Sequence, residues 1–249
     1  MVLVNIIIFE FFQGNELTLN PHELIVPIFA IRGNNEISQF LGTGSFIGAP
    51  PLLLTAQHVI ADWPEKLAIS TVKDLNKLYF VTVVMTDKDH DLALLSVDGY
   101  SPSSSLQLAE NLIPQNQLLA NFEYGTTRSE SGKIIISPAT RIGNITRVLD
   151  MTDKYKGAGN EMLELSFSAL KGASGSPVVS NDDKFELLGV IIANVSYHLL
   201  PAQLSSVLDA DNQLIEETSF MLPQALAVNV KHIKELLNRY NEGLATTVT

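Results

Sequence analysis

Apolar residues in this chain come in short runs, most of them closed by glycine, proline or a polar pair. Leu24–Ile31 (LIVPIFAI), Phe40–Gly48 (FLGTGSFIG) and Pro51–Ala56 (PLLLTA) are apolar or alternating and bounded by turn residues, which predicts strands. Lys77–Met85 and Leu92–Val97 repeat the pattern. A small, polar stretch, Gly99–Ser105 (GYSPSSS), then reads as a linker. Beyond it Gln117–Phe122, Lys133–Met151, Met162–Ser168, Ser176–Ser180, Glu186–Ser196 and Ser219–Pro223 are again strand-like. The period changes once. In Val228–Tyr240, Val230, Ile233, Leu236, Leu237 and Tyr240 recur at helical spacing. Many short strands, a linker near residue 100 and one terminal helix predict an all-β barrel or sandwich in two similar lobes.

Composition agrees with a packed protein. The 249 residues are 46% hydrophobic and 17% charged, enough apolar surface for a sizeable core. The net charge of −11 repels phosphate backbones and anionic lipid, so neither nucleic acid nor a membrane is expected as a partner. The absence of cysteine removes disulfides, thiolate metal sites and cysteine nucleophiles, and leans towards a reducing compartment. The apolar start, MVLVNIIIFEFF, has no Lys or Arg before Arg32 and is interrupted by Asn5 and Glu10. An arm or extra strand over residues 1–23 is expected there, not a signal peptide. No cofactor is implied, and His22, His90 and His232 lack the spacing of a metal site.

Three short motifs carry chemistry. TAQHVI (Thr55–Ile60) ends a strand and places His58 where a helical turn can begin. DHDLALL (Asp89–Leu95) places Asp91 directly before an apolar strand, and KGASGSPVV (Lys171–Val179) sets Ser174 between small residues. A serine hydroxyl is a weak nucleophile at neutral pH and needs a base to take its proton. Histidine can serve, and a carboxylate on its far ring nitrogen fixes the tautomer. Each motif alone also reads as a strand end, a turn or a loop. Together they place His58 and Asp91 in the first lobe and Ser174 in the second, where a cleft between lobes suits a site. Asp87 and Asp89 are expected as solvated loop charges. The order His, Asp, Ser is not that of nucleophile-elbow esterases, which run Ser, Asp, His.

GTGSFIG, TAQHV, DLALL and GASGSP, taken together, resemble the trypsin-like (chymotrypsin-fold) serine proteases, in particular the bacterial, high-temperature-requirement-like branch without an appended peptide-binding domain. The resemblance extends from Leu24 to Leu237, including the strand-then-helix ending FMLPQALAVNVKHIKELL. It implies two six-stranded antiparallel β-barrels, the first over 24–105 and the second over 106–227, followed by a helix over 228–241. It implies His58 as general base, Asp91 as the acid that orients it and Ser174 as nucleophile, with the N–H groups of Gly172 and Ser174 as the oxyanion hole. By the same resemblance the pocket for the residue before the cut has Ser168 at its base and Ile192, Ala193 and Asn194 along its wall. Ser168 is neutral, and Asn194 stands where the family usually has glycine. A shortened or more polar pocket with a neutral or apolar preference is therefore expected. Ala173 replaces a usual acid or amide, so activation through a new N-terminal amine is not expected.

The sequence thus predicts a serine endopeptidase acting on protein or peptide substrates in a bacterial cytoplasm. There an unguarded protease is a hazard, so gating by an activating protein partner is expected. The competing expectation is a catalytically silent protease fold used as a binding module.

Overall fold

The computed structural model describes residues 21–33, 35–61, 66–72, 74–130, 133–151, 161–209 and 212–247. Up to residue 20, the expected N-terminal arm lies outside the described residues. After a 3-10 turn at Pro21–Glu23, the first half forms β1 (Ile25–Arg32), β2 (Glu36–Ile47), β3 (Leu52–Ala56), a short helix α1 (Gln57–Ala61), β4 (Lys66–Thr71), β5 (Asp74–Asp87) and β6 (Leu92–Val97). The second half forms β7 (Leu118–Glu123), β8 (Arg128–Glu130), β9 (Lys133–Ile135), β10 (Ala139–Asp150), β11 (Glu161–Leu165), β12 (Pro177–Ser180), β13 (Leu187–Asp209) and β14 (Asn212–Asn229), and ends in α2 (Val230–Thr247).

Each half closes into a six-stranded antiparallel barrel. The first runs β1-β2-β3-β6-β5-β4, the second β10-β11-β14-β13-β12-β7, with β8 and β9 forming a separate two-stranded ribbon. Closure removes the free edges that an open sheet would expose. The first barrel is filled by Ile28, Phe29, Leu53, Leu54, Ile69, Leu92 and Leu94, all essentially inaccessible to solvent. Its apolar cluster continues through Tyr124, Val190 and Leu226 of the second half to Ile233 and Leu236 of α2, so one core joins both barrels and the helix. A smaller cluster around Leu119, Ile145, Leu163, Val178 and Leu188 fills the second barrel. The segment between barrels is strapped to both. Leu106 bridges to Ile47 of the first, and Leu108 to Leu187 of the second.

The sequence pattern locates most strands but misses the short β8 and three further features. β4 was not predicted. The run over 133–151 breaks into β9 and β10. The expected separate strands over 186–196 and 219–223 are parts of one long hairpin. β13 and β14 pair from Gly189–Asn229 out to Asp209–Asn212. The neighbouring strands reach only as far as Val190 and Leu226, so the outer hairpin is a two-stranded ribbon leaving the barrel. α2 appears where its period predicts. Val230, Ile233 and Leu236 are buried, and the Asn229 side chain caps the helix by accepting from the Lys231 N–H at 3.0 Å.

Candidate active site

β3 ends at Ala56 and the chain turns at once into α1, which presents His58. The turn is held by the residue that opens the strand paired with β3. The Asp91 carbonyl accepts from the Gln57 N–H at 2.9 Å, and its carboxylate Oδ1 accepts from the His58 N–H at 2.8 Å. The other carboxylate oxygen lies 2.6 Å from His58 Nδ1. One aspartate therefore fixes both the backbone and the ring of the histidine. To do this Asp91 sits at φ +54°, a left-handed conformation that Asp tolerates better than most residues. The hydrogen bond to Asp91 raises the His58 pKa above the ordinary histidine value; partial burial opposes it and the Asp91 charge adds to it. The His58 side chain is 46% exposed.

Ser174 comes from the second barrel. Its carbonyl accepts from the Thr43 N–H of β2 at 3.0 Å. The meeting point is tight. A Cβ on Gly42 would lie 2.8 Å from the Ser174 carbonyl oxygen and 2.9 Å from Val59 Cγ2, the residue after His58. The Ser174 loop and α1, which carries His58, therefore both close on β2 at Gly42, with no room for a side chain there. In this structure no hydrogen bond joins the Ser174 hydroxyl to His58.

The loop 170–176 is built from two successive turns. Ala173 N–H donates to the Leu170 carbonyl at 3.0 Å and Ser176 N–H to the Ala173 carbonyl at 3.0 Å, while Gly175 N–H is taken by Ile191 of β13 at 2.8 Å. Gly172 and Gly175 have φ of +93° and +83°, which glycine adopts without a steric penalty. The N–H groups of Gly172 and Ser174 have no acceptor among the described residues. They are two open donors on the loop that carries the Ser174 hydroxyl. The Thr43 hydroxyl donates to the Gly172 carbonyl at 3.2 Å and so pins that peptide from the first barrel. The sequence reading missed Thr43. The small residues of G-T-G-S in a strand otherwise built of apolar residues were the available signal.

The remaining expected residues lie on the second half of the chain, Ser168 after β11 and Ile192, Ala193 and Asn194 on β13. The Ser168 hydroxyl donates to the Pro223 carbonyl of β14. Ile192 is buried and Ala193 half-buried, and the exposed Asn194 folds its side chain back onto Ala169. One expectation needs correction. Asp89 is exposed, but Asp87 is buried at 6% exposure because it caps the β5–β6 turn. Its Oδ1 accepts from the N–H groups of Asp89 and His90, while its Oδ2 meets His90 Nδ1 at 3.0 Å and the Arg239 guanidinium of α2. Hydrogen bonds and the charges of His90 and Arg239 outweigh burial and lower its pKa.

A cavity of about 440 Å³ opens between this turn and α2, lined by Asp87, Asp89, His90, Glu235 and Arg239 among others. There His90, His232 and Glu235 bring potential metal-ligand atoms within 4.8 Å of one another. The two imidazoles are stacked, with centroids 4.0 Å apart and planes at 19°. In-plane lone pairs of stacked rings run side by side and do not converge on one ion, so the arrangement suits ring packing better than shared coordination.

Two closed antiparallel barrels, with a carboxylate-held histidine on one and a serine between glycines on the other, define the architecture of a chymotrypsin-like protein. Residues 42–190, more than half of the chain, match the family model of the trypsin-like peptidase domain, and the chain belongs to that family. No curated protein matches the sequence. Among solved structures, the inactive form of the Rv3671c protease from M. tuberculosis is similar at TM-score 0.58 and 17% identity, covering 88% of this chain and 90% of that one. Its active form gives TM-score 0.58 and 17% identity, over 88% and 81%. A serine endoprotease from Yersinia pestis gives TM-score 0.58 and 14% identity, over 88% and 63%. At these identities the likeness is one of fold.

Proposed function

We propose that the chain is a serine endopeptidase that works through an acyl-enzyme on Ser174. His58 Nε2 takes the hydroxyl proton as Oγ bonds to the scissile carbonyl carbon. The carbonyl oxygen becomes an oxyanion held by the N–H groups of Gly172 and Ser174. The C–N bond then breaks, and His58 returns its proton to the leaving amine. Water, deprotonated by the same ring, attacks the ester and restores the serine. Asp91 keeps Nδ1 protonated and stabilises the imidazolium at each transfer.

The observation that carries this reading is the pair of open N–H donors, Gly172 and Ser174, on the serine's own loop, together with a histidine whose Nδ1 is 2.6 Å from the Asp91 carboxylate. A fluorophosphonate probe tests it. Wild type is expected to label and Ser174→Ala to stay unlabelled. No hydrogen bond joins Ser174 to His58 in this structure. Catalytic hydrogen bonds are often long in free enzymes, so this geometry is compatible with activity. If no labelling occurs under any condition, with candidate partners present or absent, the chain is a silent binding module.

A further inference from the structure

The turn between β5 and β6 carries an aspartate at each end. Asp91, at the far end, holds His58 and the start of α1. Asp87, at the near end, is buried and closes the first half of the turn. Its Oδ1 accepts from the Asp89 N–H at 3.1 Å and from the His90 N–H at 3.2 Å. Its Oδ2 meets His90 Nδ1 at 3.0 Å and the Arg239 guanidinium of α2. Lys88, Asp89 and His90 alone separate the two aspartates. One short turn is therefore gripped by both helices, by α1 through Asp91 and by α2 through Asp87.

Polar and ring contacts, not a packed core, make up the grip of α2. The cavity of about 440 Å³ lies between helix and turn, where close packing would otherwise join them. Arg239 reaches Asp87, and His232 stacks on His90. Around the cavity Asp89, Glu235 and Glu242 are acids, and Arg239 is the one permanent cation among the described residues that line it. Without it the Asp87 carboxylate would keep the His90 ring but share the cavity with three further acids. A buried carboxylate that loses a cation is driven towards water, and the cavity can supply it. Its hold on the two turn N–H groups then weakens. Asp91 makes its hydrogen bonds at a φ of +54°, in the small left-handed region, which gives it little latitude to follow a shifted turn.

The geometry points to Asp87 as a positioning residue for the candidate site: tied to α2 by Arg239, it fixes the turn from which Asp91 reaches His58, and so couples the terminal helix to the general base. The consequence for catalysis rests on the peptidase reading above. The coupling itself is a property of the fold and is readable without turnover. Asp87 and Arg239 have no part in the bond changes and act only through Asp91.

Titration of the His58 ring by NMR tests the coupling, with His58→Gln locating the signal. Wild type, Arg239→Gln, Arg239→Lys, Asp87→Asn and the double variant Asp87→Asn with Arg239→Gln are compared. Asp91 is the charged group that acts on His58, and its hydrogen bond raises the ring's pKa. Loosening Asp91 therefore moves the midpoint down, towards 6.5. Removing the Arg239 charge would by itself move it up, so the sign separates positioning from long-range charge. Arg239→Gln is expected to lower the midpoint, and Arg239→Lys to restore most of it. In the Asp87→Asn background, Arg239→Gln should add little, because the interaction is already lost. Labelling by a small fluorophosphonate reads the consequence on the alkaline plateau, where the ring is neutral. Its rate should fall by about 2-fold to 30-fold in Arg239→Gln, the range for coupling carried through intermediate residues. An unchanged or raised His58 midpoint in Arg239→Gln would overturn the inference. The pairing of β3 with β6 would then hold Asp91 unaided, and Arg239 would serve stability alone. If the midpoint falls as expected but no protein labels, the peptidase reading fails and the coupling of α2 to His58 stands.

Discussion

Asp91 does three jobs that are chemically distinct. It accepts from a backbone N–H with one carboxylate oxygen, from an imidazole with the other, and from Gln57 N–H with its carbonyl. An amide at this position keeps the size but can present an N–H to Nδ1, which then holds the wrong tautomer. Asp91→Asn is expected to lower kcat by about four orders of magnitude with little change in the unfolding midpoint. Asp89→Asn, on an exposed side chain, is the control that should leave kcat alone. The raised pKa of His58 sets the direction of the pH dependence. The base works only when neutral, so the acid limb of kcat/KM should have its midpoint above the ordinary histidine value of 6.5 and should move down when the Asp91 hydrogen bond is removed. Stability runs the other way. The folded state binds this proton more tightly than the unfolded chain, so the contribution is complete below pH 6.5 and is lost as pH rises through the raised value. Gly175 is a purely steric case. A Cβ there would meet the Thr43 carbonyl oxygen and Thr55 Oγ1, both at 2.1 Å, at a φ of +83°. Gly175→Ala should cost about 2–5 kcal/mol of stability, read from denaturant unfolding.

Strand and helix ends show what the sequence could reveal and what it could not. β6 was legible to the residue because Leu92–Leu95 are buried on both faces and the run stops where burial stops. His58 and Asp91 were legible for the same reason, since each flanks a strand whose end the hydrophobic pattern marks. β4 was missed because Ala68 and Ser70 are as buried as Leu67 and Ile69, so its interior residues do not alternate in polarity. The outer part of the β13–β14 ribbon has no barrel neighbour, and its pairing follows from the register set near Gly189 and Asn229, which no local pattern encodes. The tie from Asn194 to Ala169 depends on two segments distant in sequence and was equally invisible. At α2, His232 is buried against the β5–β6 turn, stacked on His90, with Nδ1 3.0 Å from Glu235 Oε2 and Nε2 accepting from the Glu161 N–H. Burial lowers its pKa, the nearby charges of His90 and Lys231 lower it further, and Glu235 opposes them. The unfolded chain therefore binds this proton more readily. The contribution to stability is complete above pH 6.5 and declines as pH falls below it. His232→Gln should flatten the fall in unfolding midpoint between pH 7 and pH 5. The slope that remains is the balance of His22, which burial shifts in the same direction, and His58, whose raised pKa acts the other way.

On the scale of the whole molecule, the candidate site exists only where the barrels meet, and few side chains hold that meeting. Thr43 of β2 is one of them, fully buried, with its hydroxyl used twice across the junction. It accepts from the Tyr124 N–H at the end of β7 and donates to the Gly172 carbonyl, each at 3.2 Å. The second bond fixes the plane of the Gly172–Ala173 peptide, which lies between the N–H groups of Gly172 and Ser174 that are proposed as the oxyanion donors. Thr43→Val keeps the shape and deletes the hydroxyl. It leaves a buried N–H and a buried carbonyl without partners, at a cost of about 1–3 kcal/mol. A structural role alone would lower the unfolding midpoint and leave turnover per folded molecule unchanged. Positioning of the oxyanion donors predicts more. Loss of alignment should appear in kcat rather than KM, because those donors act on charge that develops only in the transition state. A reduction of about 10-fold to 100-fold in kcat, with KM changed by less than about threefold, is expected for Thr43→Val. Thr43→Ser retains the hydroxyl and should recover most of kcat while still losing stability from the missing methyl. If Thr43→Ser and Thr43→Val lose kcat equally, packing rather than the hydroxyl aligns the loop, and the junction acts through shape alone.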